Sequence, residues 1–124
     1  MKIDLVKEWL NSEGYHYDID KDGDIHFKFN GKHMLFIADE RDLLFFRIIM
    51  PGIYDIENNR EKVLEICNEI TCGIKVVKAF VVRDEVWLSI EMFIDSNPDI
   101  GDFFERCCDI LISAYHKFAN KIID

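Results

Sequence analysis

Apolar residues recur at helical spacing in three separate segments of the chain. The first runs from Ile3 to Leu10, and Gly14 follows it at a position suited to a left-handed helix end. The second is predicted from Glu57 to Thr71, with Gly73 after it. The pattern therefore predicts two short helices, one near the start of the chain and one near its middle, and a third helix near the end.

The third helix is predicted to run from Pro98 to Ile122. Asn97 is suited to cap its first turn, and proline fits the first helical position because no hydrogen bond from its nitrogen is needed there. Acidic residues lie near its start and lysines near its end, which matches the helix dipole. Ile110 and Ile112 widen its apolar arc, so one sheet face is not expected to cover all of this helix.

Between these segments the periodicity changes to the two-residue alternation of β-strands. Asp22-Gly23 and Asn30-Gly31 separate alternating segments, and both dipeptides favour type I′ hairpin turns. Residues 83–85 separate two segments rich in β-branched and aromatic residues, which predicts a further hairpin. Neighbouring strands are therefore expected to be antiparallel, and they are predicted at residues 15–20, 25–29, 33–38, 43–50, 74–82 and 86–94.

The strand at residues 43–50 is apolar at both alternating positions, except at Arg47. Such a strand is expected at the centre of the sheet with both faces covered. Pro51-Gly52 is predicted to end it, because proline cannot donate a hydrogen bond to the ladder. The surplus apolar surface of this strand and of the third helix leads to the hypothesis that the protein buries it in a homodimer.

These elements define an α+β fold in the order helix, antiparallel β-meander, helix, β-hairpin and long C-terminal helix packed on the sheet. The chain has 124 residues and no visible linker or internal repeat, so residues 1–124 are expected to form a single domain. Its hydrophobic content of 49% and charged content of 31% are typical of an ordered globular protein.

The chain is acidic, with 15 Lys and Arg against 24 Asp and Glu and a formal net charge of −9. This charge opposes binding to phosphate backbones and anionic lipids. The N-terminal segment lacks the apolar run of a signal peptide, and no stretch approaches the ~18 to 20 apolar residues that span a bilayer. We therefore expect a cytoplasmic protein without nucleic-acid or membrane partners.

The sequence from Asp18 to Ile25 matches the first eight positions of an EF-hand calcium loop, including the glycine at the sixth. The twelfth position is Phe29, where a calcium loop needs a bidentate glutamate, and both flanks alternate as strands. Aspartate and glycine are also typical of turns between strands. A turn is therefore the preferred interpretation, and weak cation binding by its four aspartates is the alternative: Asp18, Asp20, Asp22 and Asp24.

Three histidines are predicted on neighbouring strands. His26 and His33 face each other across the Asn30-Gly31 turn, and His16 shares the outward position of His26. Three imidazoles could in principle bind a transition metal there. Solvent-facing histidines without a ligand are the favoured interpretation, so no metal-binding residue is predicted. The alternative is a small-ligand site, a metal site or an enzyme active site formed by His16, His26 and Asp18–Asp24.

The chain carries no recognisable catalytic motif. The spacing of its cysteines, at Cys67, Cys72 and the pair Cys107-Cys108, matches neither a disulfide framework nor a zinc ribbon, so reduced and mostly buried thiols are expected. The chain also lacks a glycine-rich phosphate loop, a Gly-x-Ser-x-Gly elbow, a His-Glu-x-x-His motif and a Rossmann fingerprint. We therefore predict no catalytic residues, no cofactor and no enzymatic activity.

The chain resembles the YbjN-like family of bacterial domains, whose fold is similar to that of type III secretion chaperones. The resemblance covers nearly the whole chain and rests on three segments: residues 6–10 (VKEWL) with Gly14-Tyr15, residues 22–27 (DGDIHF), and the strand at 43–50 before the second helix. Four strands are predicted between the first two helices, where the simplest chaperone order has three.

The resemblance implies no catalytic residues and a non-enzymatic role in protein association or regulation. We therefore predict a chaperone-like, homodimeric domain that binds another protein or a peptide.

Overall fold

A computed structural model describes residues 2–123 of the chain. Its elements follow the predicted order of helix, strands, helix, hairpin and helix, with a short 3₁₀ turn at Ile100–Asp102 before the last helix. The helices and strands are α1 (Lys2–Ser12), β1 (Tyr17–Ile19), β2 (Ile25–Phe29), β3 (Lys32–Phe36), β4 (Phe45–Asp55), α2 (Arg60–Gly73), β5 (Val77–Val82), β6 (Glu85–Phe93) and α3 (Phe104–Ile122).

The six strands form one sheet in the order β1-β2-β3-β4-β6-β5, and every neighbouring pair is antiparallel. The hairpin of β5 and β6 joins the meander through β6, which pairs with β4 and places Ile48 opposite Ile90. The predicted α+β fold is therefore confirmed, including four strands between the first two helices and a central position for β4.

A single hydrophobic core lies between one face of this sheet, here called the inner face, and the three helices. Alternate residues of β4, Phe46, Ile48 and Met50, belong to it, together with Leu10 of α1 and Leu111 of α3. Because side chains alternate across a strand, the intervening residues of β4 lie on the opposite, outer face, and they are absent from the core.

No described helix covers the outer face, so the prediction that β4 is covered on both sides is wrong. The physical reason is the width of the sheet: six strands present enough apolar surface to engage all three helices on the inner face. The last helix also leaves less apolar surface uncovered than predicted, because Ile110 and Ile112 pack partly against the core.

Phe104, the first residue of α3, joins the helical layer to the sheet and is fully buried. Its ring centroid lies 4.8 Å from that of Trp9 on α1, 5.6 Å from that of Phe27 on β2 and 6.0 Å from that of Phe46 on β4. Aromatic contacts at these separations add to the stabilisation that comes from burial. One side chain thus connects the first helix, the last helix and two strands.

The predicted start of the last helix is wrong. Asn97 and Pro98 lie outside it, and the 3₁₀ turn comes between them and the beginning of α3 at Phe104. This turn buries Ile100, and Gly101 lies against the indole ring of Trp9, where an added Cβ would be 3.6 Å from the ring. Packing beneath α1 therefore overrides the local capping signal, whereas the predicted end at Ile122 agrees with the structure.

The prediction that Pro51-Gly52 ends the central strand is also wrong, because β4 continues to Asp55. Its pairing with β6 shifts between Met50 and Tyr54, so the two residues lie in a β-bulge, where proline is tolerated. Gly52 has a φ of +56°, which suits the bulge. The added length lets Tyr54 contact Phe118 of α3, with a ring separation of 5.4 Å.

The two predicted type I′ turns have different outcomes. Asn30 and Gly31 both have positive φ, as that turn requires, and they form a two-residue connection. At Asp22-Gly23 only the glycine has positive φ, and the Gly23 N–H donates to the Asp20 carbonyl at 3.0 Å. That connection is a longer turn, and the prediction of type I′ geometry there is wrong.

Replacing Phe104 with alanine should lower the free energy of unfolding by about 3–5 kcal/mol, because it leaves a cavity where α1, α3 and the sheet meet. Urea denaturation followed by far-UV circular dichroism measures the change. Ile123→Ala is the control: its side chain is 81% exposed, so a change within about 0.5 kcal/mol is expected. A loss below about 1 kcal/mol for Phe104→Ala would contradict the joining role of this residue.

Candidate functional site

Three side chains form a hydrogen-bonded chain on the outer face near β1. His26 Nε2 lies 2.8 Å from Asp20 Oδ2, and His26 Nδ1 lies 2.9 Å from His33 Nε2. The two imidazole ring planes are within 11° of parallel, and their centroids lie 5.1 Å apart. Because a carboxylate accepts, His26 donates its Nε2–H to Asp20, which leaves Nδ1 of the neutral ring to accept from His33.

The turn between β1 and β2 holds Asp20 in place. One oxygen of Asp20, Oδ1, accepts hydrogen bonds from the backbone N–H groups of Asp22 and Asp24, at 2.9 and 3.0 Å. Asp24 Oδ1 accepts from the N–H of Ala38 at 2.9 Å, which ties the turn to the chain after β3. The prediction that these aspartates form a turn is confirmed.

The carboxylates of Asp20, Asp22 and Asp24 place ligand-type oxygens within 4.8 Å of one another. Two of these carboxylates already accept hydrogen bonds within or beside the turn, so the turn accounts for the cluster. Asp18, the fourth aspartate of the calcium-like sequence, lies on β1 and pairs with His26 across the strands. The absence of a calcium site stays a prediction.

A cavity of about 880 Å³ opens beside the histidine pair. His16, Asp18 and His33 contribute to its wall, and so do Tyr15 and Tyr17 at the edge of the sheet. The structure therefore brings His26 and His33 into contact, as predicted, and places His16 on the wall of the same cavity without a hydrogen bond to either ring.

The environment changes the protonation of two members of this chain. Burial lowers the pKa of His33, and repulsion from Lys28, and from His26 when that ring is protonated, acts in the same direction. The hydrogen bond from His26 is the main cause that lowers the pKa of Asp20. At neutral pH these two shifts favour a neutral His33 ring and an ionised Asp20 carboxylate at the two ends of the hydrogen-bonded chain.

The pKa of His33 should lie below the ordinary histidine value of 6.5, as followed by NMR of the imidazole protons against pH. The substitution His26→Asn should raise the pKa of His33 only partly toward that value, because burial is the larger cause and remains. Since the unfolded chain takes up the proton more readily, folding stability contributed by His33 is lost as the pH falls below about 6.5. A pKa at or above 6.5 in the wild type would show that the ring is not desolvated.

One row of side chains crosses all six strands on the outer face. It runs through Asp18, His26, Leu35, Ile49, Ser89 and Lys78, as the strand pairing shows. Further apolar side chains flank this row, with Phe80 opposite Trp87 on β5 and β6. Phe80 and Trp87 are half-buried although no helix packs on them, so the outer face carries apolar surface that the fold leaves open.

A small ionic network lies in the middle of the outer face. Glu91 is 3.2 Å from the amine of Lys78 and 3.8 Å from Nε of Arg47, and it accepts a hydrogen bond from Ser89 at 2.8 Å. Burial alone would raise the pKa of Glu91, but the hydrogen bonds from Ser89 and Lys78 and the charges of Lys78 and Arg47 together outweigh it and lower the pKa. The network gives this apolar surface a polar centre.

The end of the outer face where β4 begins and β6 ends is strongly apolar. Phe93 is 80% exposed, and its ring lies edge-on to Phe45 with centroids 6.2 Å apart. Leu43 and Leu44 are also exposed, and the Leu44 carbonyl accepts from the N–H of Ile94 at 2.8 Å, which holds the two segments together. We call these four residues the apolar end: Leu43, Leu44, Phe45 and Phe93.

The two edges of the sheet differ. On β5, the Thr71 hydroxyl of α2 contacts both the N–H and the carbonyl of Ala79, at 3.0 and 3.4 Å, and so covers the outward backbone groups there. On β1, the Asp20 N–H donates to the Asp24 carbonyl. In an antiparallel pair the backbone groups of successive residues point alternately toward and away from the neighbouring strand, so those of Tyr17 and Ile19 point away from β2. Within residues 2–123 nothing pairs with them.

The cysteines offer no activated nucleophile. All four are free, and only Cys72 is exposed. Burial raises the pKa of Cys107 to about 11 and also raises the pKa values of Cys67 and Cys108. Because the thiolate is the reactive form, these three buried side chains behave as small apolar groups at neutral pH. The prediction of reduced, mostly buried thiols agrees with the structure.

The fold and this surface define an α+β domain with all its helices on one side of an antiparallel sheet and an open, partly apolar face on the other. Residues 3–120 match the model of the family described as T3SS (YopN, CesT) and YbjN peptide-binding chaperone 1. The chain belongs to this family of peptide-binding, chaperone-like domains. The family resemblance inferred from the sequence is thereby confirmed.

Among solved structures, the chain is similar to the crystal structure of YbjN from E. coli, with a TM-score of 0.60 and 13% sequence identity. The match covers 91% of this chain and 87% of YbjN. At this identity the similarity concerns the fold. A comparison with curated proteins found no match. None of the described helices is long and apolar enough to cross a membrane.

Proposed function

We propose that this chain is a non-enzymatic, chaperone-like domain that binds a segment of another polypeptide on the outer face of its sheet. The observation that carries the proposal is the position of all three helices on the inner face, which leaves apolar side chains of the outer face open. Membership of a peptide-binding family supports the class of partner. The buried cysteines and the absence of a recognised catalytic motif support a non-enzymatic role.

The composition of the outer face suits a peptide with both apolar and charged side chains. Leu35 and Ile49 offer apolar contacts on β3 and β4, and Phe80 and Trp87 offer them on β5 and β6. Ser89 and Lys78, two members of the network around Glu91, lie in the same row as Leu35 and Ile49. Aromatic side chains contribute strongly to binding because they bury a large area at small cost in conformational entropy. We therefore propose that apolar anchors of the peptide bind at Leu35 and Ile49 and at Phe80 and Trp87, and that a charged group of the peptide binds near Glu91.

Peptides selected from a random library on the immobilised protein should bind the outer face. Phe80→Ala should weaken their binding about tenfold or more, because a large aromatic contact is lost from the interface. Fluorescence anisotropy with labelled peptides measures the dissociation constants. The matched control is Leu64→Ala, because Leu64 is 49% exposed on α2, away from the outer face, and its loss should leave affinity unchanged. Equal affinities for both variants, or no selected peptide, would refute this assignment.

We also propose that two copies of the chain associate through the apolar end. Leu43, Leu44 and Phe93 are three of the large hydrophobic side chains that are exposed, and they lie together with Phe45. Burial of such a cluster against the same cluster of a second copy would give a two-fold symmetric interface. This places the homodimer contact beside the proposed peptide surface and leaves that surface open.

Light scattering at roughly tens of micromolar should give twice the mass of one chain for the wild type and the mass of one chain for Phe93→Ser. Ile123→Ser is the matched control, because Ile123 is 81% exposed where Phe93 is 80% exposed, and it lies at the end of α3. This control should remain a dimer. A wild type that is monomeric throughout the concentration range, or a Phe93→Ser variant that stays dimeric, would contradict the proposed contact.

A further inference from the structure

We propose that His26 and His33 form a binding site for a divalent transition metal ion of the Zn²⁺ class, a proposal that does not rest on peptide binding. The sequence favoured solvent-facing histidines without a ligand, and that prediction is untested; the reason for this proposal is that the structure brings two ring nitrogens together. His26 Nδ1 and His33 Nε2 lie 2.9 Å apart on the outer face. Neutral imidazole nitrogens are the preferred ligands of such ions.

The separation of the two nitrogens is close to that of two ligands on one ion. With metal–nitrogen bonds of about 2.0–2.1 Å, two nitrogens on a tetrahedral ion lie about 3.3 Å apart, and two adjacent nitrogens on an octahedral ion lie about 2.9 Å apart. The hydrogen bond now directs the two nitrogens at each other, so both side chains must rotate before the nitrogens can converge on one ion. His26 and His33 also belong to adjacent paired strands, β2 and β3, so the backbone fixes the positions from which the rings extend.

Asp20 positions the first of these ligands. Its Oδ2 accepts from His26 Nε2 at 2.8 Å, so the proton of the neutral ring stays on Nε2 and Nδ1 presents a lone pair toward His33. A carboxylate that accepts from the second nitrogen of a metal-bound histidine is a common arrangement, because it orients the ring and increases its basicity. Asp20 is itself held by hydrogen bonds within the turn.

His33 can become a ligand without a change in its charge. In the metal-free protein its Nε2–H donates to His26 Nδ1. When an ion replaces the hydrogen bond between the rings, His33 releases the Nε2 proton to water and takes up a proton from water at Nδ1. Both rings are then neutral, each with one nitrogen toward the ion and the other carrying a proton, so the number of protons on the protein is unchanged.

The cavity beside the histidines leaves room for the remaining ligands of the ion. His16 and Asp18 contribute to its wall, and Asp18 lies directly opposite His26 in the strand pairing. Water molecules can occupy the other positions. Lys28 opposes binding, because it pairs with His33 across the strands and carries a positive charge. The net charge of −9 for the whole chain acts in the opposite direction and favours cations.

Titration calorimetry with ZnCl₂ tests the proposal on the full chain after removal of metal ions with a chelator. All variants should carry Cys72→Ser, because this exposed thiol is itself a zinc ligand. One ion per chain should bind, and His26→Asn and His33→Asn should each abolish the saturable heat. Asp20→Asn should weaken binding about 10–100-fold, as expected for a residue that orients a ligand. Lys28→Gln should strengthen it.

The control is His116→Asn, because His116 lies on α3 outside this site, and its loss should leave zinc affinity unchanged. NMR of the wild type gives a second readout that needs no variant: zinc should shift the imidazole resonances of His26 and His33 and leave that of His116 in place. No saturable heat, heat retained in His33→Asn, or shifts confined to the aspartates of the β1–β2 turn would overturn the proposal. Calcium should produce no shift at either histidine.

Discussion

The rest of the structure depends on the packing of three helices against a single face of one six-stranded sheet. Phe104 shows how this packing is achieved, since its ring contacts α1 through Trp9 and the sheet through Phe27 and Phe46. Its position also requires the chain before α3 to bend, and the 3₁₀ turn that buries Ile100 provides this bend. A core built on one side leaves the other side of the sheet to solvent or to partners.

The outer face therefore combines features that a core would not contain. One row of paired residues joins Asp18 and His26 at one edge to Lys78 at the other, through Leu35 and Ile49 at the centre. Polar groups such as Glu91 and His26 keep this face compatible with water. Separate parts of one surface are thereby available for the three proposed roles: the apolar end for self-association, the central region for a peptide and the histidine pair for a metal ion.

The sequence predicted the order and type of the elements because local periodicity and turn residues agree with the final fold over most of the chain. The sequence-based prediction failed where contacts between residues far apart in the chain determine the local structure. Asn97 and Pro98 are good helix-start residues, yet burial of Ile100 beneath α1 displaces the start of α3. Pro51-Gly52 is a good strand terminator, yet the bulge allows β4 to continue and to bring Tyr54 to Phe118.

The candidate site was predictable in part. Alternation placed His26 and His33 on the same side of adjacent strands, but the hydrogen bond between them depends on the strand register and on side-chain rotation, which a sequence does not show. The open outer face was missed because residues 43–50 are apolar at both alternating positions, a pattern typical of a strand covered on two sides. The apolar residues at outward positions, such as Leu35, Phe80 and Trp87, were the sequence feature that could have indicated an apolar outer face.

The central claim is that the outer face of the sheet receives the partner polypeptide. NMR chemical-shift mapping with a bound peptide tests it most directly, because it reports on every part of the surface at once. The account predicts the largest shifts at Leu35, Ile49 and the indole of Trp87, with the exposed residues of α2 and α3 unchanged. Shifts concentrated on those helices, with the outer face unperturbed, would contradict it.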